Sequence, residues 1–296
     1  DLFIDCTGFK SLLLEQTLKE PFINLEDTLP NNTAWCTRIP YKDKRKELVG
    51  YTNCTAVENG WIWNIPLWSR MGCGYVYSDK FISDDDALKE FQKHIGTQEL
   101  DFKKIKFRIG IHKRLWVKNV CAIGLAGGFI EPLESNGLFS IHEFIHQLVR
   151  TLQRPTTSQW DKDVFTAMCR KAYDTFYEFL AMHYALSHRQ DTPYWKSNFN
   201  RKWSEKLLNV LPSSYLNMSV PPLSGIHCIA AGMHWSPTDI PSLVKAGVAP
   251  NMDSWKKLWK STADRLDKRK DEWKKAVKDV PIMYDFLKEN YYVESK

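Results

Sequence analysis

No stretch of the chain approaches the roughly 18 consecutive apolar residues that a membrane-spanning helix requires, so no helical span is expected. No C-x-x-C pair occurs among the seven cysteines (Cys6, Cys36, Cys54, Cys73, Cys121, Cys169, Cys228), which are scattered and odd in number. That pattern argues against a zinc cluster or a disulfide framework and suits reduced, mostly buried thiols in a cytoplasmic protein. No G-x-G-x-x-G follows a strand-like run, because Gly72-Cys73-Gly74 continues as Tyr-Val-Tyr without the third glycine. Repeats and low-complexity tracts are also missing. A concentrated basic stripe is lacking too: 41 Lys and Arg against 35 Asp and Glu leave a net charge of +6, mild enough to suit an anionic ligand but not nucleic acid.

What is present is ordinary in bulk and unusual in its rings. The 296 residues are 43% hydrophobic and 26% charged, enough for a sizeable core and two packed regions. Aromatic residues reach 13%, with 12 tryptophans, which points to aromatic-walled pockets or a thick aromatic core. The opening DLFID reads as a buried strand already under way, so the chain is expected to begin inside a larger domain.

Local pattern divides the chain into strands followed by helices. After Thr7-Gly8, FKSLLLEQTL suits a short helix. Residues 34–77 contain AWCTRIPY, YTNCTAV, GWIWNIPL and GCGYVYS, alternating runs broken by Gly, Pro and Asn. Asp84-Asp85-Asp86 caps an amphipathic helix that ends at Gly96. KKIKFRIGIHK and NVCAIGLAGGF read as further strands. Beyond Leu138, residues 138–153, 160–187 and 254–278 carry apolar positions at three-to-four spacing. The last of these has a stripe of Trp255, Leu258, Trp259, Leu266, Trp273 and Val277 that predicts a solvated helix docked on a core. This order predicts a sheet-based domain and then a helical one.

Two adjacent segments compete for the chemistry. His142-Glu143-Phe144-Ile145-His146 matches H-E-x-x-H, which puts two imidazoles on one helix face at zinc-ligand spacing. A catalytic zinc needs a third protein ligand, and no metzincin continuation follows His146. An apolar stripe of Leu138, Ile141, Ile145, Leu148 and Leu152 assigns this helix to packing, so no metal is expected. The segment before it, Ala122 to Gly137, is an apolar strand closing on glycines, a turn at Pro132 and a helix start near Gly137. Unpaired N–H groups there suit an anion or a polarised carbonyl, and the glycines let backbone approach a flat ligand. An ordinary strand–turn–helix corner would look the same.

GLAGGFIEPLESNGL, GWIWNIPL with its W-x-W-x-I-P core (Trp61, Trp63, Ile65, Pro66), DLFIDCTGF and RQDTPYW together resemble the flavin-dependent tryptophan halogenase family. The resemblance runs from Asp1 to about Pro237, with GYVYS and WVKNVCAIGLA in order between the stronger motifs. It implies a mixed α/β (α+β) fold: a p-hydroxybenzoate-hydroxylase-like FAD-binding domain, incomplete at its N-terminus, over residues 1–153, and a helical substrate-covering region over 154–296. It also implies reduced FAD, oxygen and chloride or bromide as reactants, with hypohalous acid halogenating an indole- or phenol-type substrate. The family's catalytic lysine would lie upstream of DLFID.

Residue by residue, the match makes Glu134 the catalytic carboxylate beside the arene. Gly124, Leu125, Ala126, Leu133 and Gly137 would face the flavin, and Asn136 and Gly137 the halide. The family usually has Thr where this chain has Asn136. Trp61 and Trp63 would wall the flavin from the substrate; period-two packing along a strand puts both rings on one face in any case. Implied partners are a separate flavin reductase and a small aromatic substrate, without nucleic acid or membrane, and a homodimer is compatible with the match. Where free-tryptophan halogenases carry a pair of tyrosines, this chain has Ile226-His227 ahead of Cys228-Ile229-Ala230-Ala231-Gly232. Ile226 cannot pair an ammonium or carboxylate, so a substrate lacking the free amino-acid group is expected. The rival readings are a flavin monooxygenase on the same scaffold and an inactive binding fragment.

Overall fold

The computed structural model describes residues 1–203, 228–230, 232–234 and 251–292. Its strands are β1 (Phe3–Asp5), β2 (Phe22–Asn24), β3 (Thr33–Ile39), β4 (Asn53–Ala56), β5 (Gly60–Leu67), β6 (Arg70–Tyr77), β7 (Lys103–Lys106), β8 (Gly110–His112), β9 (Trp116–Val117), β10 (Val120–Ala122) and β11 (Gly128–Phe129). The helices are α1 (Lys44–Glu47), α2 (Asp84–Ile95), α3 (Asn136–Leu152), α4 (Gln159–Ala185), α5 (Pro193–Phe199), α6 (Met252–Ala276) and α7 (Met283–Asn290). The class is mixed α/β, with most strands ahead of the long helices.

Among the described residues, β4-β5-β6-β3-β7 form a five-stranded sheet, and β1-β10-β9 and β11-β8-β2 form two three-stranded ones. Alternation decides what each face of the large sheet covers. Ile62, Cys73, Tyr75 and Tyr77 point to one side and pack with Ala87 and Phe91 of α2. Each fully buried side chain of this size contributes about 1.5–3 kcal/mol relative to exposure. Trp61 and Trp63 take the opposite face of β5, their rings 5.9 Å apart and tilted by 54°. The Trp63 ring lies directly on Gly74 of β6, where an added Cβ would come within 2.1 Å of it. Only glycine admits that approach.

DLFIDCTGF is held together by one carboxylate. Asp5 is fully buried and accepts from Thr7 N and Oγ (3.1 and 2.6 Å), Leu13 N (2.9 Å) and Leu14 N (2.8 Å). Burial pushes its carboxyl up, but the hydrogen bonds from Thr7, Leu14 and Leu13 outweigh this and hold it below the ordinary value. The segment expected as a short helix becomes a 3-10 turn at Gly8–Lys10 and a π-helical turn at Leu12–Thr17. The expectation of a buried first strand is corrected among the described residues: Phe3 and Ile4, on opposite faces of β1, are 52% and 40% exposed, while Asp5 is fully buried. KKIKFRIGIHK likewise splits into β7 and β8, which belong to different sheets.

Helix ends follow local chemistry. The α2 cap is Ser83, which accepts from Asp86 N, rather than the acidic trio, which occupies the first turn. Gly96 ends α2 in the left-handed region at φ 75°. RQDTPYW becomes the start of α5, with Thr192 as N-cap and Pro193 in the first turn. Its side chains grip the turn before β5: Trp195 Nε1 and Arg189 Nη1 donate to Val57 O (2.7 and 3.1 Å), and Thr192 Oγ donates to Glu58 O (2.7 Å).

The chain divides into two compact units, one of residues 1–39, 52–65 and 71–203, the other of 40–51, 66–70 and 204–296. Both α4 and α5, beyond residue 154, pack within the first. In the second, Arg45 pairs with Asp285 at 2.8 Å, and Trp68 stacks on Tyr292 at 4.1 Å with Lys44 Nζ 3.3 Å over its ring. The docked stripe expected on α6 is corrected where it can be followed: Leu266, Trp273 and Val277 are 48%, 56% and 65% exposed. The side chains of Trp255, Leu258 and Trp259, and the positions Ile226 and His227, lie outside the described residues.

Candidate active site

The segment after β10 turns at Gly124, whose φ of +68° needs glycine, and runs through a 3-10 turn and β11 to Glu131. A second 3-10 turn, Pro132–Glu134, leads to Ser135, left-handed at φ 52°, and so into α3. No side chain caps α3, so its first N–H groups remain available. Between this segment, α3 and α4 lies a cavity of about 250 Å³, lined by Gly124, Leu125, Phe129, Asn136, Gly137 and Phe176 among others. Nothing lies within 4 Å of where a Gly137 Cβ would stand. Asn136 is buried, and its Nδ2 is enclosed without a hydrogen-bond partner. A buried amide without an acceptor is costly, by about 1–3 kcal/mol. Of the remaining residues singled out from sequence for the flavin, Ala126 is fully buried behind the cavity and accepts from Ser11 Oγ (2.9 Å). Leu133 is half-buried in the second turn and does not line the cavity.

The two glutamates of E-P-L-E-S have opposite environments. Glu131 is fully buried; its Oε2 accepts from Asn31 Nδ2 (2.6 Å) and Trp61 Nε1 (3.2 Å), and its Oε1 has no partner. Burial pushes its carboxyl up, and the hydrogen bonds from Asn31, Tyr184 and Trp61 only partly oppose this. Asn31 extends the network to α4 and α5 through Tyr184 Oη (3.0 Å) and Tyr194 Oη (3.1 Å). Glu134 is 38% exposed at its side chain and stands 2.8 Å from His183 Nε2 of α4. It does not line the cavity. One turn of chain therefore presents a cavity and a carboxylate at separate places, and Glu131 ties that turn to Trp61.

The wall residues are brought together in part. Trp61 is buried, Trp63 and Ile65 are half-buried beside it on β5, and Pro66 falls in the second unit. Cys54 stands opposite Trp63 in the β4–β5 ladder. Its thiol is pushed up by burial and, second, by the Glu134 carboxylate. Alkylation of Cys54 by iodoacetamide at pH 8 should therefore accelerate in Glu134→Gln, read by peptide mass spectrometry. An unchanged rate would show that the two side chains are not neighbours.

His142 and His146 are both exposed on α3, and no group of three or more His, Cys, Asp or Glu gathers to hold a metal among the described residues. The packing stripe predicted for this helix is corrected in part: Leu138, Ile145 and Leu152 are 73%, 43% and 47% exposed, whereas Leu148 of that stripe is buried, together with Phe144 and Gln147.

The sequence profile described as tryptophan halogenase matches residues 1–214. The chain belongs to the tryptophan halogenase family. It is 38% identical over 209 residues to the tryptophan 6-halogenase ThaL of Streptomyces albogriseolus, covering 70% of this chain and 39% of ThaL. Its fold superimposes on the VirX1 apo structure with a TM-score of 0.85 at 36% identity, covering 99% of this chain and 59% of that one. It superimposes on Tar14, a tryptophan C-6 flavin-dependent halogenase (chlorinase) from taromycin biosynthesis, with a TM-score of 0.81 at 31% identity, covering 97% and 57%. The chain thus spans about two fifths of the curated relative and under three fifths of the solved ones.

Sequence reasoning missed Glu131, His183, Asn31 and Cys54 as site residues. Glu131 had a legible signal: an acid set between Phe129-Ile130 and Pro132-Leu133 has apolar neighbours on both sides. His183 was one of six histidines outside HEFIH, with nothing local to distinguish it.

Proposed function

We propose that this chain carries the halogenation site of a flavin-dependent halogenase acting on a small indole- or phenol-type substrate. The observation that carries the reading is the Glu131–Trp61 hydrogen bond, which fixes the tryptophan wall to the turn bearing Glu134. The glycines Gly124, Gly128 and Gly137 in the cavity lining, with open space where a Gly137 Cβ would stand, support a flat ligand held against backbone. Gly124, Leu125 and Gly137 would hold FAD, with Ala126 and Leu133 supporting that segment. Asn136 and the Gly137 N–H would hold chloride or bromide. When bound, reduced flavin supplies the activation of oxygen by which halide becomes hypohalous acid.

The chain's own residues do the rest. Trp61 and Trp63, with Ile65 on the same strand, form a wall that keeps the substrate from direct oxygenation and excludes water. The halogen of hypohalous acid adds to the arene carbon as the oxygen leaves as hydroxide, which becomes water with the proton that the arene then loses. Glu134 stabilises the cationic adduct and accepts the proton lost from that carbon as aromaticity returns. Reduced flavin arrives from a separate reductase. The names of the relatives support an indole, and Ile226-His227 in place of a tyrosine pair supports one without a free amino-acid group.

Supplied with reductase, NADH, FAD, oxygen and bromide, the protein should brominate indole with higher kcat/KM than free tryptophan. Product formed equally well without halide would establish the monooxygenase instead, and no product with any substrate the binding fragment. Free tryptophan as the best substrate would overturn the substrate class. Equal turnover without the reductase would remove that partner.

A further inference from the structure

Glu134 extends from a single 3-10 turn on a side chain with three rotatable bonds, a poor mount for a base that must meet one carbon. What holds it is His183. The imidazole Nε2 stands 2.8 Å from Glu134 Oε1, and Nδ1 lies 3.2 Å from the Leu180 carbonyl oxygen one turn back on α4. A carbonyl oxygen only accepts, so Nδ1 carries the ring hydrogen and Nε2 is turned to the carboxyl. With Nε2 protonated as well, the ring donates to Oε1 and the carboxyl keeps its negative charge. The ring is braced edge-on by Phe179, with centroids 5.6 Å apart at 86°, and its side chain is only 17% exposed against 38% for Glu134. The imidazole is therefore fixed by a helix and a neighbouring ring, while the carboxylate projects from a short turn.

We propose that His183 is a positioning residue for Glu134: its Nε2 pins one carboxyl oxygen and leaves Oε2 to take the proton from the arene. This rests on the function assigned to Glu134. Gln at position 183 separates positioning from packing, since its amide nitrogen can occupy the Nε2 place and donate to Oε1, whereas Leu fills the volume and offers nothing.

The test uses His183→Leu and His183→Gln in the active protein, alone and combined with Glu134→Gln. A hydrogen bond to a charged group carries enough for kcat to fall about tenfold to a hundredfold in His183→Leu with KM little changed. Halogenated product per flavin oxidised should fall in step, His183→Gln should recover most of the loss, and His183→Leu should add nothing in the Glu134→Gln background. Unchanged kcat in His183→Leu, Gln no better than Leu, or losses that multiply in the double variant would overturn the proposal. Long-range proton–nitrogen NMR of the histidine rings provides a readout that needs no turnover. Glu134→Gln should move the His183 Nε2 resonance and leave those of His112 in place. A stationary His183 resonance overturns the pairing even if no halogenation is ever seen. A moved resonance in a protein that does not halogenate sustains the pairing and counts against the assigned function alone.

Discussion

Glu134→Gln should lower halogenation by about 10²- to 10⁴-fold, the usual reach of a positioned proton acceptor, while oxidation of reduced flavin continues near the wild-type rate. The substitution is isosteric, and an amide can still meet His183 Nε2, so the turn and its contact survive. What disappears is the negative charge facing the cationic adduct and the oxygen able to take its proton. Flavin oxidation should be spared because Glu134 does not line the cavity assigned to the flavin. Reductase-coupled oxygen uptake and chromatography of halogenated product, run on the same samples, read the two rates separately. If oxygen uptake collapsed in parallel with product, Glu134 would act on the flavin side and its role at the arene would be wrong.

Glu131 should reveal itself through stability. In Glu131→Ala, Asn31 Nδ2 and Trp61 Nε1 lose their buried acceptor, each at about 1–3 kcal/mol. The expected fall in Tm is roughly 10 °C for a unit of this size. Glu131→Gln should behave in the opposite way. Its amide oxygen can replace Oε2 toward both donors, and its NH2 can take the place of Oε1, which no donor approaches. The sign follows from the raised carboxyl. The folded state binds the proton more tightly than the unfolded chain, so the stabilisation is complete below the ordinary carboxylate range and is lost as pH rises through the folded-state value. Glu131→Gln does not titrate. Its Tm relative to wild type should therefore rise between pH 4.5 and 8. A difference that stays flat with pH would mean that Glu131 is not held protonated by its burial.

Much of this fold was legible locally. Alternation in AWCTRIPY, GWIWNIPL and GCGYVYS specified strands because a half-buried strand repeats every two residues. Apolar spacing found α3, α4 and α6 within a few residues of their ends for the corresponding helical reason. Misreadings occurred where periodicity names a face without saying what covers it. Of the stripe predicted on α3, Leu138, Ile145 and Leu152 face outward and Leu148 faces inward, because the buried face is shifted toward Phe144 and Gln147. DLFID has strand composition, yet Phe3 and Ile4 are exposed because no described element covers those faces of β1.

The sequence by itself determined the family, the strand-then-helix order and the E-P-L-E-S turn with its glycine-rich approach, since each is written in contiguous residues. It could not determine which glutamate is buried, which histidine matters or where Trp61 is anchored. Those depend on Trp61 meeting Glu131 across 70 positions and Asn31 meeting Tyr184 across 153. Desolvation and hydrogen bonding, which set the character of the Glu131 carboxyl, arise only when packing brings distant groups together. Identical side chains three residues apart thus became a buried acid that holds the tryptophan wall and an exposed carboxylate paired with His183, a distinction that tertiary contacts alone decided.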